Sequence, residues 1–143
     1  MPTPVVSTAS TVWTGDLFHG AGRTSLDSSG LATFDVGWKS RSEGHEGQTT
    51  PEELIAAAHA SCYAMAFSNE LASNGTPPTQ LDTKAAVTFV AGEGITGIAL
   101  SVRGQVPGIS AEDFARIADA AKAGCPVSKA LAAVPITLDA ALA

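Results

Sequence analysis

Basic side chains are scarce in this 143-residue chain, with eight Lys and Arg against fourteen Asp and Glu, a formal net charge of −6. They form no basic run and do not alternate with aromatics, so the electrostatic footprint of a nucleic-acid-binding protein is missing. Long apolar runs are missing too. The longest, residues 54–67, is interrupted by His59 and falls short of the roughly 20 residues that span a bilayer. The opening "MPTPVVSTAS" carries neither the positive segment nor the apolar core of a secretion signal. A soluble, cytoplasmic protein with no nucleic-acid or membrane partner is therefore expected. Cysteine is scarce as well, at two residues. A reducing cytosol disfavours a structural disulfide, which leaves inert core thiols, metal ligands or redox groups. No C-x-x-C pair is present, and structural zinc ordinarily takes four closely spaced ligands, which counts against a metal site built from Cys62, Cys125 and His59.

Hydrophobic residues make up 45% of the chain and charged ones 15%, which fits one domain over residues 1–143 with a substantial core. No repeat, low-complexity tract or linker divides it. Residues 12–18 are β-rich, "HGAGR" and "LDSSGLA" carry turn residues, and "LATFDVGW" reads as a further strand. The polar, Gly-bearing "SRSEGHEGQTT" is expected to be an exposed loop, with His19 and His45 at the surface. A helix should start at Thr50, with Pro51 at its first position and Glu53 completing a T-x-x-E capping box, and run to about Ser73 before "NGTPP" stops it. Because residues 54–67 are apolar on every side, that helix is expected to be buried all round. Residues 83–106 read as a hairpin. Ala85, Val87, Phe89 and Ala91 alternate on one arm, Ile98, Leu100, Val102 and Val106 share a face of the other, and "GEG" turns between them. "PGISAEDFARIADAAKAG" is a second helix, started by Ser110 and Asp113 and stopped at Gly124; a short helix after Cys125-Pro126 and a closing strand in "PITLDAAL" complete an α+β order.

The two thiols sit in different surroundings. Cys125 occupies an N-cap position before Pro126, where backbone N–H groups favour a thiolate. Cys62 lies mid-helix and gains nothing of the kind from its own helix. It is either a small buried hydrophobe or a nucleophile served by a cation from elsewhere. Glu52 is either helix-start electrostatics or the carboxylate that holds such a cation, with Arg23, Arg41, Arg103 and Arg116 the available arginines. Arg103, in a strand, and Arg116, on a polar helix face, read as solvated charges. His59, three residues before Cys62, is either a satisfied core histidine or half of a Cys–His pair, although nothing identifies the oxyanion hole a hydrolase would need.

"TPEELIAAAHASCYAMAFS" joined to "AKAGCPVSKAL" resembles the OsmC/Ohr family of thiol-dependent hydroperoxide reductases, and the similarity runs from "WTGDL" to "ITLDAAL". "PEELIAAAHA" and "AKAGCPVS" resemble the OsmC branch more than the Ohr branch. The resemblance implies an OsmC-like α+β fold in an intertwined homodimer, with long helices at the interface and sheets wrapped around them. It further implies a peroxidase that reduces organic hydroperoxides, and hydrogen peroxide, in oxidative or osmotic stress defence. Cys62 becomes the peroxidatic cysteine, Cys125 the resolving cysteine of the same subunit, and Glu52 the carboxylate that orients an arginine. That arginine is Arg41 if "SRSEG" is the matching motif and Arg23 if "GAGR" is; the OsmC-like remainder of the chain selects Arg41. Ser42 replaces the bulky residue of the motif, which should loosen the loop. The implied cofactor is none (no metal, flavin or haem), and the implied reductant is a dithiol such as a lipoylated protein. Tyr63, Met65 and Phe67 either line a peroxide pocket or fill the core. The alternative is a catalytically silent dimeric binding or scaffold protein of the same fold.

Overall fold

In the computed structural model, which describes residues 2–44 and 47–143, the chain divides into two units, residues 1–51 and 52–143. The first contains an antiparallel three-stranded sheet in the order β1 (Ala9–Thr14), β2 (Ala21–Leu26), β3 (Thr33–Val36). The first strand ends at Thr14, earlier than the expected 12–18 run, because Asp16 turns the chain. Its carboxylate accepts from the His19 N–H at 2.7 Å and its carbonyl from the Gly20 N–H at 2.8 Å. "HGAGR" is accordingly only half a turn, since from Ala21 onward it pairs with β1, Val12 opposite Arg23.

The largest departure from expectation is α1 (Trp38–Glu43), which lies where an exposed loop was expected and carries Arg41 in its last turn. Gly37 starts it in extended backbone and Gly44 follows its end. Six residues between two glycines are too few for a hydrophobic period to show in sequence. Ser42 does not loosen this segment: its hydroxyl donates to the Trp38 carbonyl at 2.9 Å, one turn back. His45 lies outside the described residues.

The second unit opens with helix α2 (Pro51–Ser73), whose bounds match the start and stop signals. After it, Gly75 takes φ +81°, a conformation glycine adopts without a Cβ penalty, and the Thr76 N–H caps the Leu71 carbonyl at 3.0 Å. Within a single chain the helix is covered on one side only. It hides a stripe of Glu52, His59, Tyr63, Phe67 and Leu71, mostly four apart, while Met65 stays 73% exposed. One chain supplies covering side chains to one side of a helix this long.

Strands β4 (Gln80–Val90) and β5 (Gly94–Gln105) form the expected hairpin, extended by a few residues and offset by a bulge between Thr88 and Phe89. Ala91 falls in the turn rather than on the arm. Helices α3 (Ala111–Gly124) and α4 (Pro126–Ala130) then return the chain to β6 (Ile136–Leu142), which pairs parallel to β5 to give the order β4-β5-β6. Ser110 caps α3 through its hydroxyl, 3.1 Å from the Asp113 N–H. The core joins Tyr63, Phe67 and Leu71 of α2 to Leu100 and Val102 of β5 and to Phe114, Ile117 and Ala121 of α3. Each large side chain so buried contributes about 1.5–3 kcal/mol. Gly104 is needed for this packing, since a Cβ there would stand 2.8 Å from the Phe114 ring. No helix among the described residues is long and apolar enough to cross a membrane.

Candidate active site

Two elements of the second unit bring its thiols together. Cys62 projects from the middle of α2, and Cys125 sits at the corner between α3 and α4. That corner is set by local chemistry. Pro126 cannot continue α3 and holds its predecessor out of helical backbone, so Cys125 stands at φ −59° and ψ 124°. Its own N–H still closes α3 onto the Ala121 carbonyl at 2.9 Å, and its carbonyl opens α4 by accepting from the Lys129 N–H at 3.1 Å. The two sulfurs lie 3.0 Å apart, both as free thiols. Cys125 is 0% exposed, whereas Cys62 keeps part of its surface in solvent.

Their acidities diverge. Burial, then the hydrogen bond with Cys125 and its charge, raise the Cys62 thiol above its ordinary value, although the Val127 N–H acts the other way. Burial also acts upward on Cys125. There the hydrogen bond with Cys62, the Ser128 and Val127 N–H groups and the Ser128 hydroxyl outweigh it, and the thiol ends below its ordinary value. The Cys125 side chain makes no full capping hydrogen bond to α4; these groups act on the sulfur by their proximity.

His59 lies on the buried stripe of α2, 0% exposed. Its Nε2 is 2.7 Å from the Ser128 hydroxyl, and its Nδ1 has no hydrogen-bond partner among the described residues. With its hydrogen bond going to Ser128, the imidazole makes none to Cys62, so a hydrolase-like Cys62–His59 dyad is absent from this geometry. Burial lowers the His59 pKa and keeps the ring neutral.

The arginines are distributed as follows. Arg23 pairs across the β2–β3 ladder with Asp35 at 3.4 Å, Arg103 with Asp139 at 3.0 Å, and Arg116 with Asp113 at 3.1 Å, all with exposed side chains. Arg41 is half-buried in α1 of the first unit. Glu52 is buried in the first turn of α2. Tyr63 and Phe67 are core residues rather than pocket walls: the Tyr63 hydroxyl donates to the Ala118 carbonyl at 3.0 Å, and the Phe67 ring packs 5.2 Å from Phe114. Met65 instead borders a surface groove of about 620 Å³ with Ala64, Ser68 and Leu81.

Residues 44–139 match the model of the family described as OsmC-like protein. The chain belongs to that family. OsmC-like relatives include the protein named Peroxiredoxin OsmC of Escherichia coli (strain K12) and its namesake of Shigella flexneri. Each is 48% identical over 130 residues, which covers 89% of this chain and 90% of the relative. Among solved structures, an organic hydroperoxide resistance protein from Elizabethkingia anophelis superposes with a TM-score of 0.76 at 21% identity, covering 100% of both chains. A protein described as organic hydroperoxide resistance protein OsmC, from Legionella pneumophila, gives 0.69 at 22% identity over 96% of this chain and 99% of that one. The OsmC-like fold is thus shared by proteins of low sequence identity.

One residue of this OsmC-like site escaped the sequence. Ser128 follows Cys125 by three positions in "CPVS", the cap-to-N3 spacing at which a side chain faces back toward the start of its helix. That spacing is the signal the sequence carries for it.

Proposed function

We propose that the chain is a cysteine-based peroxidase that reduces organic hydroperoxides to alcohols and water. The observation that carries it is the pair of free thiols 3.0 Å apart in a chain 48% identical to a Peroxiredoxin OsmC. Exposure separates their roles. A peroxide in solvent can reach the partly exposed Cys62, while Cys125, fully covered, is suited to meet only a sulfur already beside it.

Cys62, as thiolate, attacks one peroxide oxygen; the O–O bond breaks, an S–O bond forms, and the alkoxide leaves with a proton as the alcohol. The sulfur is then a sulfenic acid. The Cys125 sulfur attacks it, the S–O bond breaks, water leaves and a Cys62–Cys125 disulfide remains, which protects Cys62 from further oxidation. A dithiol returns both thiols by exchange and is itself oxidised to a disulfide. Lipoylated protein fits this requirement.

Since burial raises the Cys62 thiol, the first step needs a cation. We assign that role to Arg41, oriented by Glu52, because a guanidinium stabilises a thiolate and donates to peroxide oxygens together. We assign the working state to a homodimer, in which the two units act as one domain. The support is the uncovered apolar side of α2 around Met65, the kind of patch a partner surface covers. The working place is the cytoplasm, where thiols stay reduced.

Peroxide consumption with excess dithiol and cumene hydroperoxide tests this function. Sustained turnover lost on alkylation of Cys62 is expected. Native thiols that persist in the presence of peroxide would instead leave a silent binding protein.

A further inference from the structure

The buried link between His59 and Ser128 has no part in the peroxidase steps above, yet it ends beside the sulfur that closes the disulfide. Three observations bear on it. The His59 Nε2 to Ser128 Oγ distance of 2.7 Å is short, and both residues are buried. The Nδ1 of the same ring has no partner among the described residues. Ser128 is the N3 residue of α4 and Cys125 its N-cap, three residues apart and so one turn from each other at the start of the helix.

The unpartnered Nδ1 decides the direction of the chain. A buried imidazole that stays neutral carries one N–H and one lone pair. Leaving the lone pair bare costs less than leaving the N–H bare, as with buried backbone groups, where orphaned N–H is the rarer defect. The proton therefore sits on Nε2, which donates to the Ser128 oxygen. Ser128 has a single hydroxyl proton, and with its oxygen accepting from His59 that proton is free for a second acceptor, for which the Cys125 sulfur at the start of the same helix is the candidate.

We propose that His59 is a positioning residue for the Cys125 thiol: by donating to Ser128 it fixes the Ser128 hydroxyl as a hydrogen-bond donor to the Cys125 sulfur, so that Cys125 attacks the oxidised Cys62 as a thiolate. The step balances as before. The Cys125 thiol gives up its proton, its sulfur displaces hydroxide from the Cys62 sulfenic acid, and the hydroxide leaves with that proton as water. The relay rests on the assignment of Cys125 as the resolving thiol, and it speeds condensation rather than attack on peroxide.

The test uses the full reduced chain, one equivalent of cumene hydroperoxide, and dimedone to trap sulfenic acid. Ser128→Ala and His59→Leu are expected to form the Cys62 sulfenic acid normally and to close the disulfide about tenfold more slowly, the size of losing one hydrogen bond to a charged group, with dimedone adducts accumulating. His59→Gln, which can place an amide N–H near the Nε2 position, and Ser128→Thr are expected to recover most of the rate. In a Cys62→Ser background, Ser128→Ala should raise the Cys125 pKa by about one unit, a tenfold loss of thiolate. Condensation at the wild-type rate in Ser128→Ala and His59→Leu, or equal slowing in all four variants, would overturn the relay. If the unaltered chain forms no Cys62 sulfenic acid, the peroxidase assignment fails; the Cys125 titration then still decides the relay, and an unchanged pKa in Ser128→Ala overturns it.

Discussion

Cys62 and Cys125 stand 3.0 Å apart and differ in almost everything else. Cys62 rises from an unbroken helix whose N–H groups are spent on their own carbonyls, keeps a window to solvent, and is held above the ordinary thiol pKa. Cys125 sits at a corner made by Gly124 and Pro126, is closed to solvent, and lies below the ordinary value because N–H and O–H groups converge on it. Exposure and acidity are thus separated between two sulfurs in contact. Under the proposed roles, the accessible thiol needs a cation to become reactive, and the more acidic one needs a partner delivered to it. A single cysteine with both properties would be open to overoxidation in every encounter with peroxide; under those proposed roles, the division keeps Cys125 out of reach until Cys62 has reacted.

The most direct way to break this comparison is to remove one sulfur at a time. Cys62→Ser is expected to abolish peroxide consumption entirely, whereas Cys125→Ser should consume about one equivalent per chain and leave Cys62 drifting from sulfenic to sulfinic acid. Intact-mass measurement of both variants after peroxide would expose a reversal of roles. Next in size is the cation. Arg41→Ala should raise the Cys62 pKa and slow its oxidation by about a hundredfold, within the range an opposite charge gives a neighbouring thiolate. Arg23→Ala, by contrast, should be near neutral, since an exposed pair such as Arg23–Asp35 is worth about 0–1 kcal/mol. Stopped-flow oxidation rates of the two variants decide between them; loss of reactivity in Arg23→Ala alone would move the site to the other arginine.

The two helix starts offer a smaller test. Ser110 caps α3 with a hydrogen bond to the Asp113 N–H, while Cys125 opens α4 without one. Ser110→Ala should cost about 1 kcal/mol in urea denaturation and leave thiol chemistry untouched. His59 adds a pH dependence of defined sign. Its folded pKa is below the ordinary value of 6.5 because of burial, so below about pH 6.5 the unfolded chain takes up a proton that the folded chain refuses. Stability from this group is full above 6.5 and is lost as pH falls toward the folded pKa. In His59→Gln the slope of denaturation midpoint against pH in that window should flatten.

The parts of the fold legible in sequence were those written in local chemistry. Thr50-Pro51-Glu52-Glu53 and the "NGTPP" stop bracketed α2, Ser110 and Asp113 marked α3, and alternation from Ala85 to Phe89 and from Ile98 to Val102 marked the hairpin. Helix α1 was hidden because its six residues, five of them polar after Trp38, are too few to show a period and are flanked by glycine. The uncovered side of α2 was also hidden, since alanine-rich sequence looks the same whether a neighbour covers it or not. Within the site, the particular setting of Cys125 could be read from Gly124 and Pro126. Its distance to Cys62 could not, because contact between residues so far apart in the chain is decided by how α2 packs against α3 through Tyr63, Phe67 and Phe114. The pairing of Ser128 with His59 was hidden for the same reason, His59 being on α2, although the spacing of Ser128 from Cys125 was not.

The division of labour between the two sulfurs is tested most directly by mapping disulfides by mass spectrometry after one equivalent of cumene hydroperoxide is added to the fully reduced chain. The expected result is loss of both thiols and a single Cys62–Cys125 bridge within each chain. Bridges found only between chains, or two thiols still free after the peroxide is consumed, would contradict it.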